Sequence, residues 1–286
     1  MIIPKSITPP GVRSSISSGS NYMKLHDKVE AIFSGDDPNY PDSSHYHYDQ
    51  ERSELAMEVG KAWQEFKTLN PKPEGIKGNI VLEFKYQNYD VHIERSGGCF
   101  YTSVTQGEHR IKYEDYSGIA GSFLERCDIA QQYNDIKTQN PSLNIDFNLM
   151  AHSNQLDLYK ADLKNANLSH LNLKNILFSE ADMSGANLSH ADLEEADMSN
   201  VNLQDANMSN VNLKDADMRD ANLKGANLRE STIEGADFEN ACLVGTDFRQ
   251  TDLSLIERNS DDGEQWKPAL MEPNMRLLFA EATPST

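Results

Sequence analysis

The sequence has few cysteines, little positive charge and no long apolar run. Its 286 residues include three cysteines, Cys99, Cys127 and Cys242, scattered and without metal-ligand spacing, so we expect free thiols and no disulfide framework. A membrane-spanning helix needs about 18 consecutive apolar residues, and no apolar run in the sequence approaches that length, so we expect no transmembrane segment. The net charge of −19 disfavours nucleic acid and acidic headgroups as direct partners and favours a protein or another basic partner.

Motifs of common enzyme classes are also missing. The chain contains no P-loop, no glycine-rich dinucleotide turn, no HExxH and no GxSxG. Its eight histidines are dispersed, and only His170 and His190 invite comparison, because a repeat places them one above the other. Two interpretations of this pair stay open: the two side chains either face outward without a ligand, or they bind a metal ion, for which no third ligand is evident. We predict that the protein is not an enzyme and has no cofactor or resident metal.

The N-terminal stretch differs in composition from the rest. Residues 1–22 hold six serines, three prolines and no acid, which predicts a disordered segment, and they lack the apolar core of a signal peptide. The segment is either a secretion address or an ordinary flexible terminus. Residues 23–48 are interpreted as a linker.

Residues 49–150 predict a small α+β module. Apolar residues three or four apart indicate a helix over about Asp49 to Asn70, and a second helical pattern runs from roughly Tyr116 to Lys137. Between them, alternation at Ile80 to Tyr86, at Val91 and Ile93, and at Phe100 to Val104 predicts an antiparallel sheet.

Residues 156–255 are twenty consecutive five-residue units without a slipped register. Position 1 of each unit is mostly small, position 2 is usually Asp or Asn, and position 3 is a large apolar residue such as Leu158, Leu163 or Leu168. A period of five fits neither a helix nor a strand, so each unit must be one side of a coil. If four units make a turn, residues twenty apart stack, and five coils rise by about 24 Å.

Stacking at twenty residues sorts the side chains into columns. Four apolar position-3 columns fill the interior, which leaves no lumen for a substrate. Asn167, Asn187, Asn207 and Asn227 form one outer column in which amides can bond along the stack. Asp157, Asp197, Asp217 and Asp237, interrupted by Leu177, form an acidic stripe on another face. These residues serve either the turns, by bonding local backbone amides, or a partner.

Several units resemble the pentapeptide-repeat consensus A(D/N)LXX, among them ANLSH at Ala186, ADLEE at Ala191, ANLKG at Ala221 and ADFEN at Ala236. That resemblance implies a mainly β fold, a right-handed quadrilateral β-helix of about five coils over 156–255, preceded by the α+β module. It implies little about function, because members include gyrase-protecting proteins and secreted effectors.

The order of a serine-rich leader, a β-rich stretch GNIVLEFKYQNYDVHIERSGGCFYTS, a helix and then repeats resembles the PipB-type effectors that enteric pathogens deliver by type III secretion. The resemblance implies a non-enzymatic adaptor inside a host cell, at the pathogen vacuole or other host membranes. Its partners would be host proteins, motor-linked or membrane-associated, besides the type III apparatus or its chaperone.

Residues 256–286 predict a cap and a tail. Apolar residues within Trp266 to Met271 would cover the end of the repeats over Phe248 and Leu253, because a solenoid's last coil otherwise exposes its core. One relative engages the kinesin motor through its extreme C-terminus, so Leu277, Leu278, Phe279 and Glu281 are the candidate partner-binding residues. The segment Asn274 to Glu281 could dock in a partner's groove.

The alternative function is DNA mimicry. Residues 156–255 hold eighteen Asp and Glu against eight Lys and Arg, a net −10. About fourteen phosphates occupy the same roughly 24 Å of duplex. On this hypothesis the protein would bind DNA gyrase in the bacterial cytoplasm.

Overall fold

A computed structural model describes residues 25, 29, 32, 33, 50–71, 79–96, 99–106, 109–115, 123–145, 155–255 and 269–270. In chain order its elements are α1 (Gln50–Leu69), β1 (Ile80–Tyr86), β2 (Tyr89–Ser96), β3 (Cys99–Gln106), β4 (His109–Asp115), α2 (Phe123–Gln139) and a short 3-10 helix, Leu253–Leu255, that follows the repeats. The predicted disordered leader 1–22 lies outside the described residues.

The two helices pack against each other, as their buried faces require. Leu55, Val59 and Trp63 of α1 are buried, and Gly60 lies so close to α2 that an added Cβ would stand 2.4 Å from the Ala130 carbonyl oxygen. The Trp63 indole N–H donates to the Asp128 carboxylate of α2 at 2.8 Å. The predicted helices are confirmed, and α2 is described from Phe123 onward.

Both helices end at an Asn-Pro pair. The residue before proline is disfavoured in helical geometry, so the chain leaves the helix at Asn70 and at Asn140. In each case the asparagine amide donates to the carbonyl four residues earlier, at 3.0 Å for Phe66 and 2.9 Å for Ile136. The two helix ends are therefore alike in their local hydrogen bonds, and in the described structure Asn140 also hydrogen-bonds to the repeats whereas Asn70 does not.

The sheet is antiparallel in the order β1-β2-β3-β4. Ile80, Leu82, Val91, Ile93 and Val104 are buried, which confirms the alternation predicted for the first three strands. The fourth strand, β4, was not predicted. Its sequence, HRIKYED, is mostly charged, as is common for a strand at a sheet edge.

The prediction of a linker over 23–48 is wrong at four positions. Leu25, Val29, Ile32 and Phe33 are helical and almost fully buried. The Phe33 ring stacks on Phe123 of α2 with centroids 5.1 Å apart. Their spacing, with buried residues at i, i+4, i+7 and i+8, is that of one helix face, so this part of the chain belongs to the core.

The repeats form a coil with four sides, which we call the rod (residues 156–255). Parallel bridges join residues twenty apart in all four outer columns, for example Asn167 to Asn187 and Asp197 to Asp217. The predicted twenty-residue coil is confirmed. We number the faces by the units of the first coil, the first face starting with 156–160, the second with 161–165, the third with 166–170 and the fourth with 171–175.

Each unit ends in the same tight turn. In sixteen of the nineteen turns the position-1 N–H donates to the position-3 carbonyl three residues earlier, as Ala161 does to Leu158 at 3.0 Å. All nineteen position-5 residues from Lys160 to Gln250 have a φ between 54° and 73°. This is a type II turn, and only four of the nineteen are glycine. Backbone hydrogen bonds to the next coil hold twelve of the other fifteen, from Lys160 to Asp220, in a conformation that costs about 1–2 kcal/mol per residue.

Both ends of the rod have hydrogen-bonded caps. At the N-terminal end, Asn140 accepts from the Asn167 N–H and donates to the Asn167 carbonyl, both at 2.7 Å, in place of a preceding coil. Side chains of α2 add two bonds, from Gln139 to the Ser169 carbonyl and from Gln132 to the Lys174 carbonyl. The α+β module therefore covers the open edge of the third and fourth faces.

At the C-terminal end the chain returns to the third face. The Leu270 N–H donates to Thr246 and its carbonyl accepts from Phe248, both at 2.7 Å, and Ala269 is buried. Of the segment predicted to form the cap, the structure describes these two residues, and the Leu270 side chain is exposed while its backbone pairs with the third face. Leu270 follows its bridge partner Asp247 by 23 residues, whereas bridge partners within the rod are twenty residues apart. This connection is therefore three residues longer than one coil.

Candidate functional site

The interior of the rod is closed. Every position-3 side chain from Leu158 to Leu253 is at most 4% exposed, and the position-1 side chains from Ala166 onward are also buried. Buried hydroxyls at position 1 are satisfied, since Thr246 donates to the Leu223 carbonyl at 2.8 Å and Ser231 to Met208 at 3.0 Å. Positions 2, 4 and 5 are therefore the parts of each unit that a partner can touch.

Position 2 serves the turns. Its carboxylate or amide oxygen accepts the backbone N–H two residues later in every unit except those with Leu177, Thr232 and Cys242 there. The predicted asparagine ladder is also present, with Nδ2 to Oδ1 distances of 3.4, 3.1 and 3.2 Å from Asn187, Asn207 and Asn227 to the asparagine one coil earlier. A structural role for this column does not prevent its outer edge from meeting a partner.

Charge is distributed unevenly over the four faces. The units of the first face sum to −5 and those of the fourth to −4, whereas the second sums to −1 and the third to zero. The first and fourth faces are adjacent. Nine of the ten net charges thus lie on one side of the rod, and the opposite side is nearly neutral. The asymmetry is already contained in the sequence, once each residue is assigned to its column.

The predicted acidic stripe lies in one bridged column of the first face. Asp197, Asp217 and Asp237 follow each other in consecutive coils, and Leu177 separates them from Asp157. The Arg219 guanidinium donates two hydrogen bonds to the Asp217 carboxylate, at 2.9 and 2.5 Å, and its Nε lies 3.8 Å from the Asp237 carboxylate. The hydrogen bond from Arg219 lowers the pKa of the Asp217 carboxyl below its ordinary value. Arg219 therefore partly neutralises the stripe at Asp217.

The two histidines of the third face stack as predicted. The rings of His170 and His190 lie with centroids 4.7 Å apart and planes 5° from parallel. Among the described residues there is no group of three or more side chains suited to hold a metal ion.

A cavity of about 520 Å³ lies on the outer side of the sheet, between β1, β2 and β3. Its charged side chains already pair with each other, His92 Nδ1 with Glu83 at 2.8 Å and Lys85 with Asp90 at 3.5 Å. Ser103 also lines the cavity but is only 2% exposed. For polar contacts, the described lining of this cavity offers charges that are already paired, the buried hydroxyl of Ser103 and the partly buried hydroxyl of Thr105.

The predicted partner-binding residues Leu277, Leu278, Phe279 and Glu281 lie outside the described residues. None of the helices in the described part of the chain is long and apolar enough to cross a membrane.

Comparison with known proteins finds a family model that matches the repeats. Residues 161–200, 196–235 and 233–254 match the family model described as Pentapeptide repeats (8 copies). Among curated proteins none matches this chain.

Solved structures with similar repeats include a pentapeptide repeat protein from the cyanobacterium Cyanothece 51142, at 29% identity over 41% of this chain and 64% of that one, with a TM-score of 0.30. A thylakoid-lumen pentapeptide repeat protein from Arabidopsis thaliana is 22% identical over 37% of this chain and 73% of that one, with a TM-score of 0.22. A trypsin-treated variant of QnrB1, a plasmid-mediated fluoroquinolone resistance protein, is 17% identical over 46% and 75%, with a TM-score of 0.26. The chain thus spans less than two thirds of the cyanobacterial protein.

Proposed function

We propose that this chain, a pentapeptide-repeat protein, is a non-enzymatic scaffold that a bacterium delivers into host cells by type III secretion and that binds host proteins there. The observation that carries the scaffold role is the closed rod. Its interior is packed, its turns are hydrogen-bonded and both ends are capped, so the variable outward columns are what the repeats can offer. Such a surface is suited to recognition along its length.

Delivery rests on the sequence. The acid-free, serine-rich residues 1–22 differ from an otherwise strongly acidic chain, as expected of an unfolded secretion address. The order of leader, α+β module and repeats resembles PipB-type effectors, which favours a site of action at the vacuole or another host membrane. The proposed partners are host proteins, motor-linked or membrane-associated, together with the secretion apparatus or its chaperone.

The charge asymmetry indicates the side of the rod that a basic partner would approach. The first and fourth faces carry −9 together, and attraction between surfaces of opposite charge raises association rates and selects partners. A partner bound there would contact the acidic stripe and the carboxylates of Glu194, Glu195 and Asp215 beside it.

The adaptor role is tested by retention of host proteins on the immobilised full chain. Asp197→Asn, Asp217→Asn and Asp237→Asn together remove three charges from the first face. Because asparagine keeps the oxygen that accepts the turn N–H, the fold should be unchanged. The triple variant is expected to lose the retained proteins, and equal retention would contradict this role for the first face.

A matched control removes the same charge from the nearly neutral side. Asp162→Asn, Asp182→Asn and Asp205→Asn change three residues of the second face, and this variant is expected to retain the partners. A similar loss in both variants would show that only net charge matters.

A second candidate is a DNA mimic that binds gyrase, favoured by the net −10 along the rod. The salt bridges of Arg219 and the neutral third face weaken it, since duplex DNA is negative on all sides. A gyrase supercoiling assay with micromolar protein distinguishes this candidate from the host-cell scaffold, because inhibition or protection of gyrase would favour the DNA mimic. No effect would remove it.

A further inference from the structure

The last unit of the second face breaks the polar pattern of its column. Position 2 of this face carries Asp162, Asp182, Asn202 and Asn222, and position 4 carries Lys164, Ser184, Gln204 and Lys224. In the final unit these positions become Cys242 and Val244. Both are exposed, Val244 by 48%. The polar surface of the second face therefore ends in a small apolar one.

One column of the neighbouring third face also ends in an apolar residue. Leu270 continues the column of Asn227 and Asp247 and is 43% exposed. Its N–H donates to the carbonyl of Thr246, which is the first residue of the third face's last unit and lies two residues after Val244. Val244 and Leu270 thus lie at the same end of the rod on adjacent faces, on either side of one edge, although Asp247 and Arg249 keep the last unit of the third face charged.

Glycines form that edge. Gly225 and Gly245 stack at position 5, and a Cβ added to Gly245 would stand 3.9 Å from the Gly225 Cα. Because neither residue has a side chain, nothing at these two positions separates Val244 from Leu270. We call Gly225, Cys242, Val244, Gly245 and Leu270 the C-terminal corner. Among the described residues five large apolar side chains are exposed, and two of them, Val244 and Leu270, belong to this corner.

We propose that the C-terminal corner is the docking site of the chain's own tail, residues 271–286, through Leu277, Leu278 and Phe279. The chain leaves the described structure from the corner itself, at Leu270. Seven residues further on, Leu277 is within a reach of about 23 Å. A short tether gives an effective concentration on the order of millimolar, so a weak apolar contact is enough to populate the docked state.

The charges of the tail permit this contact. Residues 271–286 contain Glu272, Arg276 and Glu281 as their only charged side chains, a net −1. The tail is therefore apolar in its middle and nearly neutral. A basic partner would favour the first and fourth faces instead, which leaves the uncharged corner to an apolar segment.

Docking would shelter the residues that are expected to bind a host partner. A partner that takes Leu277 to Phe279 would then have to displace them from the corner, so the free tail would bind it more tightly than the docked one. This consequence, unlike the docking itself, rests on the proposed function.

The exposed thiol of Cys242 reports on the corner directly. In a Cys99→Ser background, Cys127 is buried and Cys242 is the thiol open to reagent. Its rate of reaction with a maleimide is measured by mass spectrometry in the full chain, in a chain truncated after Leu270, and in Leu277→Ser/Leu278→Ser/Phe279→Ser. If the docked fraction is about 80–90%, labelling in the full chain will be about fivefold to tenfold slower than in the other two. Equal rates in all three would overturn the proposal.

Two further arms identify the occupant. Protection that disappears on dilution would mean that a second copy covers the corner, and this also overturns the proposal. Phe279→Cys is expected to form an intramolecular disulfide with Cys242 under mild oxidation, whereas Ser285→Cys, a matched cysteine outside the apolar group, is expected to form little. Equal disulfide yields from the two positions would show an undocked, freely moving tail. These readouts need no host partner, so they can fail while the proposed function stands.

Discussion

Asn140 carries the joint between the α+β module and the rod, and its removal is the sharpest test of that joint. Its side chain makes three hydrogen bonds, two with the backbone of Asn167 at 2.7 Å and one with the Ile136 carbonyl at 2.9 Å. It is 8% exposed, so water replaces these bonds poorly. Asn140→Ala leaves a donor and an acceptor of the first coil unpaired, and at about 1–3 kcal/mol each we expect a loss of about 3 kcal/mol.

Asn70→Ala is the matched control. Asn70 also precedes a proline and donates to the carbonyl four residues earlier, at 3.0 Å, but its side chain has no hydrogen bond to the rod in the described structure. Its removal should cost about 1 kcal/mol or less, because it deletes one local bond at a partly buried helix end.

Urea unfolding measures how much each substitution lowers the free energy of unfolding, and hydrogen exchange shows which part of the protein is destabilised. A loss of about 3 kcal/mol at the joint should speed exchange of the Asn167 amide by about a hundredfold in Asn140→Ala if the first coil opens locally. Exchange at that amide should stay unchanged in Asn70→Ala. The special role of Asn140 at the joint would be refuted if Asn140→Ala and Asn70→Ala lost the same free energy of unfolding within about 0.5 kcal/mol and the Asn167 amide exchanged equally slowly in both variants.

Three other predictions concern the rod. Gly235→Val should lower the free energy of unfolding by at least about 2 kcal/mol, since φ is +71° there; urea unfolding of Glu234→Val, one position earlier on the surface, should differ little from wild type. Met198→Ala, at a fully buried position, should cost about 2–5 kcal/mol in the same assay. Because Arg219 lowers the folded-state pKa of Asp217, the pair's contribution is full above the ordinary value of 3.8 and is lost as pH falls through the lowered one. Acid titration of Arg219→Ala should therefore show less loss of stability between about pH 4 and pH 2 than wild type, and an unchanged difference would contradict the pairing.

The rod could be predicted because its chemistry repeats. A large apolar residue such as Leu188 every fifth position excludes helix and strand, and the twenty-residue coil then places each column. The positive φ at position 5 was not predictable in the same way. Glu195, His190 and Lys160 have no preference for that conformation, and they adopt it because backbone bonds to the next coil hold the turn from outside.

Features that occur once were missed. Asn140 has no periodic signal, and its role follows from where α2 places it. The buried face of Leu25, Val29, Ile32 and Phe33 does have helical spacing, but it is short and follows a serine-rich stretch, so it was interpreted as a linker. Ala269-Leu270 resembles the start of another unit, yet three additional residues displace it from the register.

The central claim, that this scaffold works inside a host cell, is tested most directly by translocation of a reporter fused to the full chain. The fusion is expressed in a pathogen with an active type III apparatus, in a matched strain without it, and as a variant lacking residues 1–22. The account predicts reporter signal in cultured host cells that requires both the apparatus and the leader. No signal from the intact fusion would contradict it and would move the gyrase hypothesis to the front.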